Sequence, residues 1–196
     1  MDLVLLDPPG EPLLTTAEAK AQLRVDFGDE DGLIDNLVAA ANAWLDGYSG
    51  ILGRALVTQT WRLYFDYFFA DWRIALPLPP LQSVVQIQYV DNNGATQTVD
   101  PTLYQVLDGS LAAVQPVYGQ IWPIPRLQAR AAWVDFVAGY GTAAEVPQSV
   151  KAAALLMVSH LYVHRDAVVG VDARDSSTPL PLGVDALLAP LRSRRF

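Results

Sequence analysis

The chain has 196 residues, of which 52% are hydrophobic and only 17% charged, with no cysteine and two histidines. It is too apolar to be disordered, and disulfides, thiolate metal sites and cysteine nucleophiles are excluded. The net charge of −8 lies entirely in residues 1–50, which hold two basic and ten acidic residues, so the chain lacks the basic surface needed to grip nucleic acid through its phosphates.

The opening Leu3–Leu14 stretch is proline-rich and reads as an extended lead-in. The N-terminus carries Asp2 and Asp7 rather than a basic region followed by an apolar run, so no signal peptide is expected. Thr15-Thr16-Ala17-Glu18 is a capping box, with Thr15 as N-cap of a short helix through Leu23. A second helix starts in the acidic Asp29-Glu30-Asp31 cluster, where negative charge suits the helix dipole. Leu33, Ile34, Leu37, Val38, Ala41, Trp44, Leu45 and Tyr48 keep its three-to-four spacing, and Gly50 reads as its stop.

From Ala55 the period becomes two. Val57, Gln59, Trp61, Leu63 and Phe65 share one strand face, and Thr58, Thr60, Arg62 and Tyr64 the other. Further strands are predicted at Arg73–Leu76, Val84–Val90, Thr96–Val99, Tyr104–Leu107, Leu111–Val114 and Ala132–Ala138. Asn93-Gly94 between two of them predicts a hairpin with a type I′ turn. Pro147 is placed as the first residue of a late helix, and Val150–His164 is apolar on nearly every side, as a buried helix would be. Its apolar run Ala152–Val158 is far short of the ~20 residues that span a membrane, so a soluble intracellular protein is expected. Residues 168–181 read as a mobile loop and Val184–Leu191 as a last short helix.

The fold class is therefore α+β, a helical core with an inserted antiparallel β region and a short C-terminal helix. Residues 1–54 form the N-terminal helical part, 55–138 the insertion, 139–167 the helix that completes the core, and 168–196 a loop with a C-terminal docking helix and tail.

Little in the chain points to chemistry. His160 and His164 stand four apart, the spacing of a shared metal on a helix, but no glutamate lies between them, and only Asp166 or a distant carboxylate could be third ligand. The Asp26, Asp29, Asp31-Gly32 cluster fails as a calcium loop, because Phe27 and Val38 fall where acids are needed. Gly47-Tyr48-Ser49-Gly50 follows helix rather than strand, so it is no nucleophile elbow. Gly139-Tyr140-Gly141 is too short to cradle a phosphate and reads as a bulge with positive φ. Five tryptophans without interleaved arginine or lysine read as core and interface packing. No catalytic residue, metal or cofactor is expected.

Several phrases follow one another along nearly the whole chain. They are Leu14-Thr15-Thr16-Ala17-Glu18-Ala19-Lys20 through Asp26, Asp31 to Ile34, and Leu56-Val57-Thr58-Gln59-Thr60-Trp61-Arg62-Leu63. Next come Leu76-Pro77 to Val84, Phe136-Val137-Ala138-Gly139-Tyr140-Gly141, Val146-Pro147 to His160 with Arg165, and Leu180-Pro181-Leu182 to Arg192. In these the sequence resembles the head–tail connector (adaptor) proteins of long-tailed phages and phage-derived gene transfer agents. The resemblance implies a non-enzymatic subunit of a ring, commonly of twelve copies, between the portal protein and a stopper or tail-terminator protein. Double-stranded DNA would pass through without specific binding. Assembly in the bacterial cytoplasm and a final place at the head–tail junction of a particle follow from it. The insertion is larger than in the all-helical adaptors. A small soluble enzyme with an unrecognised carboxylate site and a regulatory binding module are the alternatives from other classes.

Three surfaces are expected to carry such a role. Leu187, Leu188, Leu191, Arg192, Arg194, Arg195 and Phe196, on a tether, suit docking into a groove of the portal. Asn92, Asn93 and Gly94 at the hairpin tip, with the segments Pro77–Pro80 and Pro116–Pro125, are expected to meet neighbouring subunits or the tail side. The acids Asp26, Asp29, Glu30, Asp31 and Asp35 are expected to face the channel and repel phosphate, with a solvated helix start as the competing reading.

Overall fold

The computed structural model describes residues 1–68, 73–109, 112–164 and 182–192. The expected loop at 168–181, together with Trp72, Asp166, Arg194, Arg195 and Phe196, lies outside them.

The protein is mixed α and β, with antiparallel sheets. In chain order come β1 (Asp2–Asp7), α1 (Thr16–Leu23), α2 (Asp31–Leu45), β2 (Gln59–Phe65), β3 (Ile74–Ala75), β4 (Leu81–Val90), β5 (Thr96–Thr98), β6 (Tyr104–Leu107), β7 (Ala113–Pro116), β8 (Ala132–Ala138), α3 (Gln148–Val163) and α4 (Leu182–Leu188). Five strands form one sheet in the order β1-β2-β8-β4-β5, and three form another in the order β3-β7-β6.

Two apolar clusters divide the molecule. The first gathers Ala19 of α1, Ile34, Val38, Ala41 and Leu45 of α2, Val150, Ala153, Ala154 and Val158 of α3, and Val184 and Leu188 of α4. Each buried Val, Leu or Ile there contributes roughly 1.5–3 kcal/mol over its exposed form. The second is built from one face of each sheet, with Trp61, Leu63 and Phe65 of β2, Ala132, Val134, Phe136 and Ala138 of β8, Ile87 of β4, Ile74 of β3 and Val114 of β7. Period two explains β2, whose residues alternate between buried and half-buried along its whole length.

The clusters join where residues 56–58 run beside 139–141. Tyr140 N–H donates to Leu56 O at 2.8 Å, and Thr58 N–H to Gly141 O at 2.9 Å. Gly139 holds φ 127° there, and a Cβ on it would lie 2.6 Å from Val57 O. The Gly-Tyr-Gly phrase is therefore a close backbone crossing that only glycine permits. Asp46, capping the end of α2, accepts from Leu56 N–H at 2.7 Å and from the Gln59 amide, whose own oxygen accepts from Trp61 Nε1 at 3.0 Å. Burial holds the Asp46 carboxyl above the ordinary carboxylate range despite these donors.

Four details depart from the sequence reading. The extended lead-in is a paired strand: β1 runs antiparallel to β2 at the sheet edge, with a register shift between Leu5 and Asp7. As an edge strand it needs no alternating pattern, and for that reason its sequence hides it. Helix α2 ends at Leu45 rather than running to Gly50, since Asp46 turns extended and Gly47 takes φ 77°. Pro147 precedes α3 as its N-cap instead of opening it. Helix α3 itself buries only the face carrying Val150, Ala153, Ala154 and Val158, while Leu156 is 39% and Val163 71% exposed.

The hairpin forms between β4 and β5 with a different turn. Gly94 has φ 85°, whereas Asn93 is not in the positive region. Gly94 N–H closes on Asp91 O at 2.9 Å, and Asp91 N–H on Ala95 O at 2.9 Å. That is a type I turn followed by a left-handed glycine, a three-residue loop rather than a type I′ turn. Asp91 decides the outcome, because its carboxylate accepts from Asn93 N–H and Ala95 N–H, both at 2.9 Å. Its carboxyl is held below the usual range, first by the Gln97 side-chain amide and then by these backbone donors.

Candidate functional surfaces

The acidic helix start is tied together by local bonds. Thr15 and Glu18 form both halves of the capping box, which lowers the Glu18 carboxyl through the Thr15 backbone N–H first. Lys20, projecting from α1, pairs with Asp31 and also donates to Phe27 O at 2.8 Å. Asp35 accepts from the Thr16 hydroxyl, and Glu30 from the Tyr162 hydroxyl at the end of α3. Three of the five expected channel acids thus hold α1, α2 and α3 together. Asp26 and Asp29 are solvent-exposed in the loop before α2.

The C-terminal segment folds back on its own chain. Val184 and Leu188 are fully buried, while Leu187 and Leu191 pack against the same cluster half-buried. Arg54 donates to Leu191 O, and Arg192 pairs with Asp185 at 2.6 Å. Leu188, expected at a docking surface, is spent inside the core, because its i, i+4 spacing with Val184 matches the surface that α3 offers. Leu187, Leu191 and Arg192 stay at the rim of that contact.

Asn92, Asn93 and Gly94 form an exposed tip. His160 and His164 lie beside each other with ring centroids 4.6 Å apart. Among the described residues no group of three or more His, Cys, Asp or Glu could hold a metal ion, and no helix is long and apolar enough to cross a membrane.

One feature escaped the sequence reading. Asp135, only 3% exposed, sits mid-strand in β8 on the face of the larger sheet turned away from the second cluster. Arg62 on β2 clasps it through two bonds of 2.6 and 2.8 Å, and Gln86 adds a third at 2.8 Å. The guanidinium lies over the Trp133 and Tyr64 rings at 5.3 and 5.6 Å, and the Asp135 bonds raise its already high pKa. An acid inside the apolar run Ala132–Ala138, with Arg62 on the matching strand face, was the available signal. Within and just beyond the Pro116–Pro125 segment, expected to meet neighbouring subunits or the tail side, the structure shows a row of exposed apolar residues from Tyr118 to Leu127. Nothing in a core-seeking pattern marks it.

No protein-family model and no curated protein matches the chain. Among solved structures it is similar to a chain in the neck of an empty gene transfer agent particle, computed with C6 symmetry. The TM-score is 0.79 at 22% identity, covering 100% of this chain and 97% of that one. It is also similar to a chain in the virion of a native gene transfer agent particle, with TM-score 0.79, 23% identity and the same coverage. A chain in the neck of a native particle computed with C12 symmetry gives 0.65 and 20%, over 98% of this chain and 97% of that one. At such identities the likeness shows a shared fold along the whole length.

Proposed function

We propose that this chain is a non-enzymatic head–tail connector (adaptor) subunit that forms a ring between a portal protein and a stopper or tail-terminator protein, around the channel by which DNA leaves the particle. The end-to-end likeness to a neck chain, 100% of this chain on 97% of that one at a TM-score of 0.79, carries the reading. The necks solved with C6 and C12 symmetry support copies arranged around an axis, and twelve copies fit both symmetries. The low charge and exposed apolar surface of the chain suit a subunit covered by neighbours.

Within that ring, Asp26 and Asp29 are the acids free to face passing DNA, since Glu30, Asp31 and Asp35 bind their own chain. The chain has few cations to hold the duplex there, only two of them lysines. The portal contact falls to Arg192 and the residues that follow it, with Leu187 and Leu191 at its base. The hairpin tip at Asn92–Gly94 is a contact with a neighbour or with the tail-side protein. Mixing the purified chain with the portal encoded beside it, followed by size-exclusion chromatography with light scattering, tests the reading. Co-elution as a multimer supports it, and loss of co-elution on deleting residues 193–196 supports the portal contact. A chain that never associates with that portal contradicts it.

A further inference from the structure

Four large apolar side chains stand in solvent on one segment: Tyr118 is 103% exposed, Ile121 76%, Ile124 81% and Leu127 99%. The segment is neither helix nor strand, yet it is held in place. Val117 N–H donates to Leu103 O at 3.1 Å and Arg126 N–H to Val90 O at 2.8 Å. Between them the Trp122 indole stacks on Phe68 at 5.0 Å and 11°. Pro116, Pro123 and Pro125 restrict the backbone further. A strap fixed at both ends that turns its apolar side chains outward is a surface made to be covered.

The same chain carries a matching surface elsewhere. Strand β1 is the last strand of the five-stranded sheet, with β2 and β8 between it and β4. Val4, Leu5 and Leu6 on it are 37–40% exposed, and Asp7 follows them, also exposed. The strap is anchored to Val90 of β4, separated from β1 by two strands, so the two surfaces are separate patches of one chain. Arg130, just beyond the strap, returns to its own β1 at Asp2, which leaves the Val4–Asp7 half uncovered. The charges are complementary as well, with exposed Arg126 on the strap and Asp7 on the strand.

We infer that the strap of residues 117–127 lies across the β1 edge of a second copy of this chain, covering Val4, Leu5 and Leu6 and setting Arg126 against Asp7. This rests on the ring reading above and specifies its subunit contact. Two different patches meeting head to tail are the contact type that closes into a ring. Covering β1 also removes an exposed apolar edge that would otherwise invite aggregation.

The absence of cysteine makes the test direct. Cysteine pairs V4C/I121C, L5C/I124C and L6C/L127C are placed in the full chain, assembled with the portal, oxidised and run on a non-reducing gel, with the same samples imaged in negative stain. The expected result is a ladder of covalent multimers from at least one pair, absent from each single variant, because a disulfide needs Cα atoms within ~7 Å. Rings in the images without a ladder from any pair overturn the strap contact and leave the ring standing; no rings in the unsubstituted chain overturn both. Independently, Arg126→Glu is expected to lower the assembled fraction about tenfold by setting two acids together, and Asp7→Arg to restore it in the double variant. A double variant as poor as the single, or an Arg126→Glu chain that forms rings normally but loses only the tail-side protein, overturns the contact.

Discussion

Removing Arg62 isolates the most deeply buried charge described in the protein. Asp135 has a side chain 4% exposed, whereas the Arg62 side chain keeps 23% of its surface in water. Replacing Arg62 by Ala strands the carboxylate with Gln86 as its remaining side-chain donor, while replacing Asp135 by Ala leaves a guanidinium that still reaches solvent and two aromatic faces. Breaking a buried pair from one side costs about 3–5 kcal/mol, and in a chain of this size that corresponds to a fall in Tm of about 6–20 °C. Arg62→Ala is therefore expected to approach the upper end and Asp135→Ala the lower. The double variant Arg62→Met with Asp135→Val, apolar on a sheet face, should recover most of the loss. Urea denaturation followed by tryptophan fluorescence reads all of this. Single variants within about 0.5 kcal/mol of the parent would show the pair to be an ordinary surface bridge and refute the reasoning, as would a double variant no better than Arg62→Ala.

Glu18 and Asp46 are expected to respond oppositely to pH. The Glu18 pKa is depressed, so its contribution is present above its ordinary 4.5 and lost as pH falls, and Glu18→Gln should flatten that acid limb in urea titrations. The Asp46 pKa is raised, so stability declines as pH climbs above its ordinary 3.8, a slope that Asp46→Asn should remove. Gly139→Ala should cost about 1–3 kcal/mol from left-handed strain, with the clash on Val57 O adding to it; a midpoint unchanged in urea would mean that the crossing gives way freely. Leu188→Ala should cost about 2–5 kcal/mol, and deletion of residues 184–196 should destabilise the helical cluster rather than leave it intact, measured by thermal melting.

Features written locally were legible in the sequence. The Thr15–Glu18 capping box, the two faces of β2, the span of β8 and the existence of the 91–95 hairpin all depend on residues a few positions apart. What failed depended on partners far along the chain. Strand β1 borrows its identity from β2, and an edge position erases alternation. The apolar run of α3 reads as burial on every side, but one chain supplies neighbours for only one face. The i, i+4 pair Val184 and Leu188 announces an apolar face without saying whether it meets this chain or another. The hairpin turn type is the local exception, decided by Asp91 two positions before the Asn93-Gly94 pair. Among the site residues, the acids expected to face a channel stand as a cluster in the sequence, yet the bonds of Asp31, Asp35 and Glu30 to Lys20, Thr16 and Tyr162 come from α1 and α3. The outward apolar row from Tyr118 to Leu127 inverts the pattern by which a core is sought.

An electron cryo-microscopy map of this chain assembled on the portal encoded beside it tests the proposed function most directly. The expected map shows a closed ring of copies, twelve on a twelvefold portal, stacked coaxially below it with Asp26 and Asp29 toward an open lumen. A map of the portal without added density, or with single copies bound off the axis, would contradict the connector role.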